Sequence, residues 1–299
     1  MEGSLLRPSM VTISTERVAM HQAHYRATQR AKRAQTLLGF VVLVLLVVVA
    51  ARVGEVDLGK LSRNIWRFPA YIVEIMPTLR WRSFGADLVE WYWGLGYWLR
   101  KLGETLLIAY VGTILGLAGG FSICFLAARN VTPAAWVLFV TRRYLEFCRT
   151  VPELVFALIF VIAFGLGPVP GVLAIAIHTT GALGKQFYEV IENIDMNPID
   201  GVKATGATWI ETMRFAALPQ VVSIFASYAL LRFEINVRGA AIMGFVGAGG
   251  IGQDLLEAVR KFYYSDVSAM LLLIVATVMI IDMATERLRH YLIGLEQRS

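Results

Sequence analysis

Residues 267–281 read VSAMLLLIVATVMII, a run without any charged residue that has the composition of a membrane-spanning helix. It follows residues 247–252, GAGGIG, whose G-x-G-x-x-G pattern before the amphipathic QDLLEAVR is also typical of a dinucleotide-binding turn. Such a turn needs a soluble βαβ unit and an acidic residue about 20 positions on, at the end of the next strand. Asp266 comes too early, and an apolar run follows it where that strand would lie. The run therefore favours a membrane protein over a cofactor-binding domain.

The composition of the whole chain supports the same reading. Hydrophobic residues make up 57% of the 299 and charged residues only 17%, against roughly 25% charged in ordinary soluble domains. Because a helix needs about 20 residues to cross a bilayer, the shorter apolar runs must use amphipathic flanks. We predict an all-α integral membrane protein with about six spanning helices, at residues 36–51, 105–128, 151–166, 169–183, 218–231 and 267–281.

The N-terminus indicates how the chain is oriented. Residues 1–35 form a polar, basic tail, which is longer than a usual secretory leader, so residues 36–51 are interpreted as a retained signal anchor. Arg26, Arg30, Lys32 and Arg33 precede the anchor, and the positive-inside rule predicts that this end is cytoplasmic. With six crossings, the C-terminus is cytoplasmic as well.

Charge and cysteine content exclude other classes of site. The net charge of +6 invites a nucleic-acid partner, but the lysines and arginines flank membrane helices and form no soluble basic domain. Cys124 and Cys148 are the only cysteines, which indicates neither a disulfide framework nor a metal cluster. We predict no metal site, no nucleic-acid partner and no catalytic residue.

Residues 52–101 form a tryptophan-rich segment that the topology places outside. Tryptophan favours the headgroup level of a membrane, so we predict interfacial helices here. The basic charge runs against the positive-inside trend and indicates anionic headgroups or, alternatively, an anionic partner. The tryptophans are Trp66, Trp81, Trp91, Trp93 and Trp98, interspersed with Arg63, Arg67, Arg80, Arg82, Arg100 and Lys101.

Residues 193–215, NIDMNPIDGVKATGATWIETMRF, form a polar loop that the topology places in the cytoplasm. Asn197 and Pro198 give a turn signal, and a short helix can follow from Ile199. Any cytoplasmic partner is expected to dock on this loop.

This loop resembles the docking signature of ABC importer permease subunits, which is E-A-A, three residues, G, nine residues, I, one residue, L-P. Asp200, Gly201 and Val202 occupy the E-A-A places, Gly206 the glycine, Ala216 the isoleucine, and Leu218 and Pro219 the closing pair. A small residue at Gly206 is expected to let the short helix pack closely into a partner's groove. Pro219 is expected to begin the next membrane helix, where its missing N–H costs little.

Neighbouring segments resemble the phosphonate-transporter permease family more closely. These are VFALIFVIAFGLGPVPGVLAIAIHTTGALGK, GVKATGAT, LPQV and LRFEINVRGAAIMGFVGAGGIG, and the resemblance extends from about Glu104 to the C-terminus. It implies a permease core at residues 102–299 in the bacterial inner membrane. It also implies a homodimer that works with two cytoplasmic ATPase subunits and an external binding protein to import phosphonates or related phosphorus oxyanions.

The chain contains no G-x-x-x-x-G-K-[ST] phosphate-binding loop. It is therefore predicted not to be an enzyme and to bind no cofactor, with ATP and Mg held by the partner ATPase. Closure of the ATPase dimer would then pull on residues 200–219. Asp200 either meets a basic residue of the ATPase or is a solvated acid at a helix N-terminus.

Charged residues at membrane depth suggest a pathway for the cargo. Arg232, Glu234 and Arg238 continue the helix that begins at Leu218, and each would cost roughly 2.5–3.5 kcal/mol at the bilayer centre. Glu234 and Arg238 can pair along one helix face, and Asn236 can both donate and accept. The pair either locks two helices together, or Arg232 or Arg238 gives a passing oxyanion a transient contact.

Further pathway candidates lie in two other segments. Gly247, Gly249, Gly250 and Gly252 are expected to form a break or tight bend beside the pathway, with close helix packing as the alternative. His178 and Thr179 are candidates in the fourth helix, although a lone membrane histidine is more commonly a hydrogen bond between helices. Glu153 is explained by helix capping, and Asp282 by pairing with Arg287 or Arg289.

Competing functions are weaker. A nucleotide-dependent oxidoreductase fails because GAGGIG lacks its context, and a channel or ion-coupled carrier would not need the docking loop. The sequence indicates the class of transporter more sharply than its cargo, because a permease for phosphate, methionine or another small solute would use a similar loop.

Overall fold

The computed structural model describes residues 15–77, 80 and 82–296. These residues form helices joined by turns, and no β-strand occurs among them. The predicted all-α membrane fold is confirmed. Two compact units divide between Ala70 and Tyr71. Trp81 lies outside the described residues.

The first unit consists of a long helix followed by short ones. Helix α1 spans Thr15–Val53 and α2 spans Leu58–Asn64, while α3, Arg67–Ile75, continues past the boundary between the units. The apolar run at residues 36–51 is therefore the second half of a longer helix. Asp57 begins α2, because its Oδ1 accepts from the Lys60 N–H at 2.9 Å.

The second unit contains the remaining helices. In chain order they are α4 (Phe84–Trp91), α5 (Leu95–Ala127), α6 (Ala135–Thr150), α7 (Glu153–Phe164), α8 (Pro168–Ile191), α9 (Asn197–Ala204), α10 (Trp209–Thr212), α11 (Leu218–Met243), α12 (Ile251–Arg260) and α13 (Tyr264–Glu296). A π-helical turn, Met213–Ala217, and a 3₁₀ turn, Gly244–Val246, flank α11.

Four helical segments among the described residues are long and apolar enough to cross a membrane: His24–Val53, Leu95–Ala127, Trp209–Val246 and Tyr264–Tyr291. The pair α6 and α7 makes a fifth if it is one span, although its two halves meet at 85°. Length and composition alone therefore identify four or five membrane-spanning helices among the described residues, fewer than the expected number of about six.

The bend between α6 and α7 follows from Pro152. A proline disfavours helical geometry at the residue before it, and Val151 is extended, with φ −71° and ψ 123°. Helix α6 was not predicted, because Arg142, Arg143, Glu146 and Arg149 interrupt its apolar pattern.

Helix α8 is not among these segments, because its sequence is less apolar than theirs. It is surrounded mostly by protein instead of lipid, so it does not need an apolar surface on every side. It packs against α5, α6, α7 and α11. A Cβ at Gly112, Gly116 or Gly120 of α5 would lie 2.7, 2.5 or 2.9 Å from the nearest atom of α8. Small residues spaced by four allow this close approach of two membrane helices.

Two tryptophans of the tryptophan-rich segment contribute to the protein interior, and the interfacial position of the segment stays a prediction. Trp91 and Trp98 are buried, at 7% and 4% exposure, with apolar residues of α12 and α13. The Trp91 Nε1–H donates to the Ser265 carbonyl and to Ser268 Oγ, both at 3.1 Å. Trp66 and Trp93 are exposed.

Candidate functional site

Helix α9 joins α8 to α10 and is held by one buried side chain. Asp195 Oδ1 accepts from the Asn197 N–H at 3.0 Å and satisfies one of the free donors where the helix begins. Pro198 lies in the first turn, where a missing N–H costs little. Ile199 is fully buried in a cluster that includes Met213 and Val221. The remaining surface of α9 is largely exposed.

The residues that match the docking signature divide into an exposed set and an anchoring set. Asp200 has no hydrogen bond or ion pair from its side chain among the described residues and lies in the first turn of α9, where a carboxylate suits the helix dipole. The exposed residues are Asp200, Gly201, Gly206 and Pro219; Val202 and Leu218 are half-buried, and Ala216 is buried.

Gly206 is required by its backbone geometry. Its φ is +83°, and a Cβ built on it would meet no atom within 4 Å. Within this chain the glycine therefore ends α9 in the left-handed region, as helix C-terminal glycines commonly do. Close packing into the groove of a partner, the expected role of this glycine, stays a prediction.

Gln220 connects the first turn of α11 to the residues that precede α9, and Pro219 lies beside it in the same turn. The π turn widens the helix just before Pro219, whose ring would otherwise clash with the carbonyl four residues earlier. Gln220 Nε2–H donates to the Ala216 carbonyl at 2.7 Å and to the Asp195 carbonyl at 3.2 Å, and its Oε1 accepts from the Asp195 N–H at 3.1 Å. Gln220 belongs to the LPQV stretch, but the sequence pattern did not indicate that its side chain would hold the residues that precede α9.

A second link joins the neighbouring helix ends. Arg142 of α6 forms an ion pair with Glu192, and its Nε–H donates to the Ala127 carbonyl at 2.9 Å. Asn130 Nδ2–H donates to the Ile191 carbonyl at 2.7 Å. The end of the molecule that carries α9, which we call the α9 end, is thus fastened by polar contacts between α5, α6, α8 and α11.

A capping box begins α10. Thr208 donates from both its N–H and its hydroxyl to Glu211 Oε2, each at 2.7 Å, and the Glu211 N–H donates to Thr208 Oγ1 at 3.4 Å. The side-chain and backbone hydrogen bonds from Thr208 lower the pKa of the Glu211 carboxyl.

Thr208→Ala is expected to speed amide exchange in residues 208–213 at neutral pH, because it removes part of this box. Since the folded pKa of Glu211 lies below its ordinary value, its stabilising effect is present above that value and is lost as pH falls through the folded pKa. The difference in protection between variant and wild type should shrink over the same range. Thr205→Ala is the control, because its hydroxyl donates to Val202 inside α9. Equal exchange at neutral pH would contradict the prediction.

Asn236 holds three helices together. It is fully buried, and its Nδ2 donates to Thr113 Oγ1 of α5 at 2.8 Å and to Thr179 Oγ1 of α8 at 2.9 Å. Asn236 and Thr179 were both candidates for the pathway. Their burial and mutual bonding explain them as contacts between helices.

Glu234 and Arg238 form the expected ion pair along α11. Arg289 of α13 reaches the other Glu234 oxygen at 3.7 Å. The expected pairing of Asp282 with Arg287 or Arg289 is wrong: no ion pair within 4.0 Å joins them, and Asp282 Oδ1 is buried without a partner among the described residues. Glu234 therefore lies between two arginines.

The glycine stretch is a true break between α11 and α12. Gly247, Gly249 and Gly250 all have positive φ, and the Gly247 carbonyl accepts from the Gly167 N–H at 3.0 Å. Thr105 Oγ1 accepts from the Ile251 N–H at 2.9 Å and so caps α12. Gly252 is helical, and a Cβ on it would lie 1.9 Å from the Ala241 carbonyl oxygen. The bend and the close packing coexist, whereas a position beside the pathway stays a prediction.

Arg232, His178 and Glu153 come together from α11, α8 and α7. Thr179, the neighbour of His178, accepts a hydrogen bond from Asn236, which lies one turn beyond Arg232 on α11. Glu153 Oε1 lies against the same helix, 2.6 Å from the position that a Cβ on Gly239 would take. Arg232 Nε and His178 Nδ1 are buried without a hydrogen-bond partner among the described residues. Glu153 lies in the first turn of α7, where a carboxylate suits the positive end of the helix dipole, as expected.

Comparison with known proteins identifies the fold and its relatives. Residues 120–293 match the family model described as a binding-protein-dependent transport system inner membrane component. The methionine transporter MetNI in an inward-facing conformation has a similar fold, with a TM-score of 0.56 at 20% identity over 65% of this chain and 95% of that one. An amino acid ABC transporter gives a TM-score of 0.54 at 18% identity, over 70% and 98% of the two chains.

Curated relatives are closer in sequence. A phosphite transport system permease protein of Stutzerimonas stutzeri is 41% identical over 66% of this chain and 72% of its own length. A putative phosphite transport permease of the same organism is 34% identical over 89% and 90%. A phosphate-import permease protein of Mycolicibacterium smegmatis is 41% identical over 62% of this chain and 35% of its own.

Proposed function

The chain belongs to the family of binding-protein-dependent transport system inner membrane components, and on this premise we propose that its cargo is a phosphorus oxyanion such as phosphonate or phosphite. As a member of that family it is a transport subunit and not an enzyme. The observation that carries the choice of cargo is the 34% identity to a putative phosphite permease over 89% of the chain. Phosphonate, phosphite and phosphate share a tetrahedral oxyanion centre, so permeases for these solutes face the same electrostatic problem.

The partners follow from the family. We propose a dimer of this chain that works with two cytoplasmic ATPase subunits, which hold ATP and Mg, and with an external binding protein that delivers the cargo. The chain spans the membrane several times. Arg26, Arg30, Lys32 and Arg33 favour a cytoplasmic N-terminus and so a cytoplasmic α9 end.

Coupling to the ATPase is assigned to α9. Its exposed surface is free for a partner, while Ile199, Gln220 and the π turn connect it to α8 and α11. A displacement of α9 by the ATPase would therefore be transmitted to two membrane helices. Asp200, Gly201 and Gly206 are proposed to lie at the contact. Val202, Ala216 and Leu218 would hold α9 in place, and the exposed Pro219 begins α11 beside it.

Gly206→Val is expected to reduce ATP hydrolysis stimulated by the binding protein by about tenfold, because a β-branched residue at positive φ distorts the end of α9. Gly165→Val is the matched control. Gly165 has φ +86° and equally open surroundings, but it lies between α7 and α8. Equal loss in the two variants would contradict a specific role for the α9 end.

The cargo can be tested by uptake into vesicles that contain the whole complex and its binding protein. ATP-dependent accumulation of labelled methylphosphonate or phosphite, with no accumulation of methionine, is the expected result. Accumulation of an unrelated solute instead would keep the importer and overturn the cargo. Accumulation without any ATPase would favour an ion-coupled carrier.

A further inference from the structure

Three ionisable side chains at membrane depth lack the partners that such groups normally have. Arg232 lies midway along α11, His178 midway along α8, and Glu153 at the bend between α6 and α7. Ionisable residues inside a membrane are expensive and usually pair with each other. The large majority of buried side-chain polar atoms in proteins have a hydrogen-bond partner.

The geometry shows how incomplete this cluster is. No nitrogen of Arg232 lies within 4.0 Å of a Glu153 oxygen in the part of the chain that the structure describes. Arg232 Nε and His178 Nδ1 are both buried and unbonded in the described part of the chain. The Glu153 carboxylate lies against α11 where Gly239 leaves room, because a Cβ there would be 2.6 Å from Glu153 Oε1.

The contrast with Arg238 distinguishes two roles for the arginines of α11. Arg238 is already paired with Glu234, which Arg289 also approaches. Arg232 has no such pair and is half-buried. Of the two arginines that the sequence offered for contact with the cargo, only Arg232 has no ion-pair partner within 4.0 Å among the described residues.

We propose that Arg232 and His178 form a transient binding station for a tetrahedral oxyanion, and that Glu153 is the counter-ion that replaces the cargo when it leaves. This inference rests on the proposed function. A tetrahedral oxyanion offers several acceptor oxygens, which match the guanidinium and imidazole N–H donors. Glu153 keeps the station from binding the anion too tightly, because conduction requires that binding also be weak enough for release.

Transport by the whole complex provides the first test. Arg232→Gln is expected to lower methylphosphonate uptake by about tenfold or more, the ratio that corresponds to loss of one charge-assisted hydrogen bond. ATP hydrolysis should still rise when the loaded binding protein is added. Arg143→Gln, which removes an exposed arginine paired within α6, should transport normally. Wild-type uptake by Arg232→Gln would overturn the station.

Direct binding provides the second test and does not depend on turnover. The complex, without binding protein, is placed in nanodiscs of phosphatidylcholine alone, so that no anionic headgroup competes, and binding of labelled methylphosphonate is measured. Glu153→Gln should lower the Kd about tenfold, since it removes the competing carboxylate. The double variant Glu153→Gln, Arg232→Gln should lose this gain in affinity. The double variant Glu153→Gln, Arg232→Lys, which keeps the positive charge, should retain part of it. The binding station would be overturned if Glu153→Gln did not raise the affinity for methylphosphonate, or if the rise persisted in the double variant that lacks the Arg232 charge.

Failure of the proposed function gives a different result. A wild-type complex that takes up no phosphorus oxyanion overturns the function, and the station with it. Wild-type uptake that Arg232→Gln leaves unchanged overturns only the station.

Discussion

Gly252→Ala is expected to prevent α12 from packing against the end of α11 and to destabilise the fold by about 3 kcal/mol. The added Cβ would lie 1.9 Å from the Ala241 carbonyl oxygen. A Cβ on Gly244, the residue that follows α11, would likewise lie 2.5 Å from the Gln253 nitrogen of α12. These neighbours are backbone atoms, so no change of rotamer relieves the clash. The whole turn that follows α11 must move.

The measurement is a thermal unfolding curve read with a thiol-reactive dye. Cys124 and Cys148 are the only cysteines and both are buried, so the dye reacts as the helices separate. Gly103→Ala is the control, because Gly103 is also helical but its Cβ would meet nothing within 4 Å. It should unfold at or above the wild-type temperature, since alanine favours a helix. A wild-type unfolding temperature for Gly252→Ala would contradict the close approach of α11 and α12.

Asn236→Asp is expected to be far more destabilising than Asn236→Leu. Leucine removes two hydrogen bonds to Thr113 and Thr179, which in membrane proteins contribute about 0.6 kcal/mol each on average. Aspartate replaces the donating amide with a carboxylate in a fully buried position, and an uncompensated buried charge costs about 3–5 kcal/mol.

The same dye assay ranks the two variants, and the order of their unfolding temperatures is the result that matters. Asn236→Leu should fall slightly below wild type, and Asn236→Asp should unfold at a much lower temperature or fail to assemble. If Asn236→Asp were as stable as wild type and transported normally, Asn236 would be accessible to water in the pathway, and its assignment to a contact between helices would be wrong.

Apolar runs were sufficient to locate most membrane helices, but not to give their lengths. The run at residues 218–231 begins where α11 begins, because Pro219 fits the first turn. The pattern ended at Arg232, whereas α11 continues to Met243. Charged residues do not end a membrane helix when they face protein or each other, and the break follows where the glycines allow positive φ.

Helices α6 and α8 show where apolar pattern is insufficient. Helix α6 is amphipathic and has no apolar run, and only Pro152 signals that the chain bends after it. Helix α8 contains the polar residues His178, Thr179 and Lys185 and packs against protein on several sides. Over a membrane-spanning length, its hydropathy is therefore too low to identify it as a membrane helix.

The candidate site shows a similar limit. The ion pair of Glu234 and Arg238 was predictable, because residues four apart share one face of a helix. The grouping of Arg232 with His178 and Glu153 was not, because it depends on how α7, α8 and α11 pack. Glu153 had an adequate local explanation at a helix start, and nothing in the local pattern indicated that its carboxylate would face Gly239.

The central claim is that this chain couples a separate ATPase to delivery of a phosphorus oxyanion by a binding protein. Its most direct test is the rate of ATP hydrolysis by the chain copurified in lipid with its ATPase partner, with and without binding protein loaded with methylphosphonate. The account predicts a stable complex whose ATP hydrolysis rises when the loaded binding protein is added. Failure to form a complex with any ABC ATPase, or ATP hydrolysis that responds to no binding protein loaded with a phosphorus oxyanion, would contradict it.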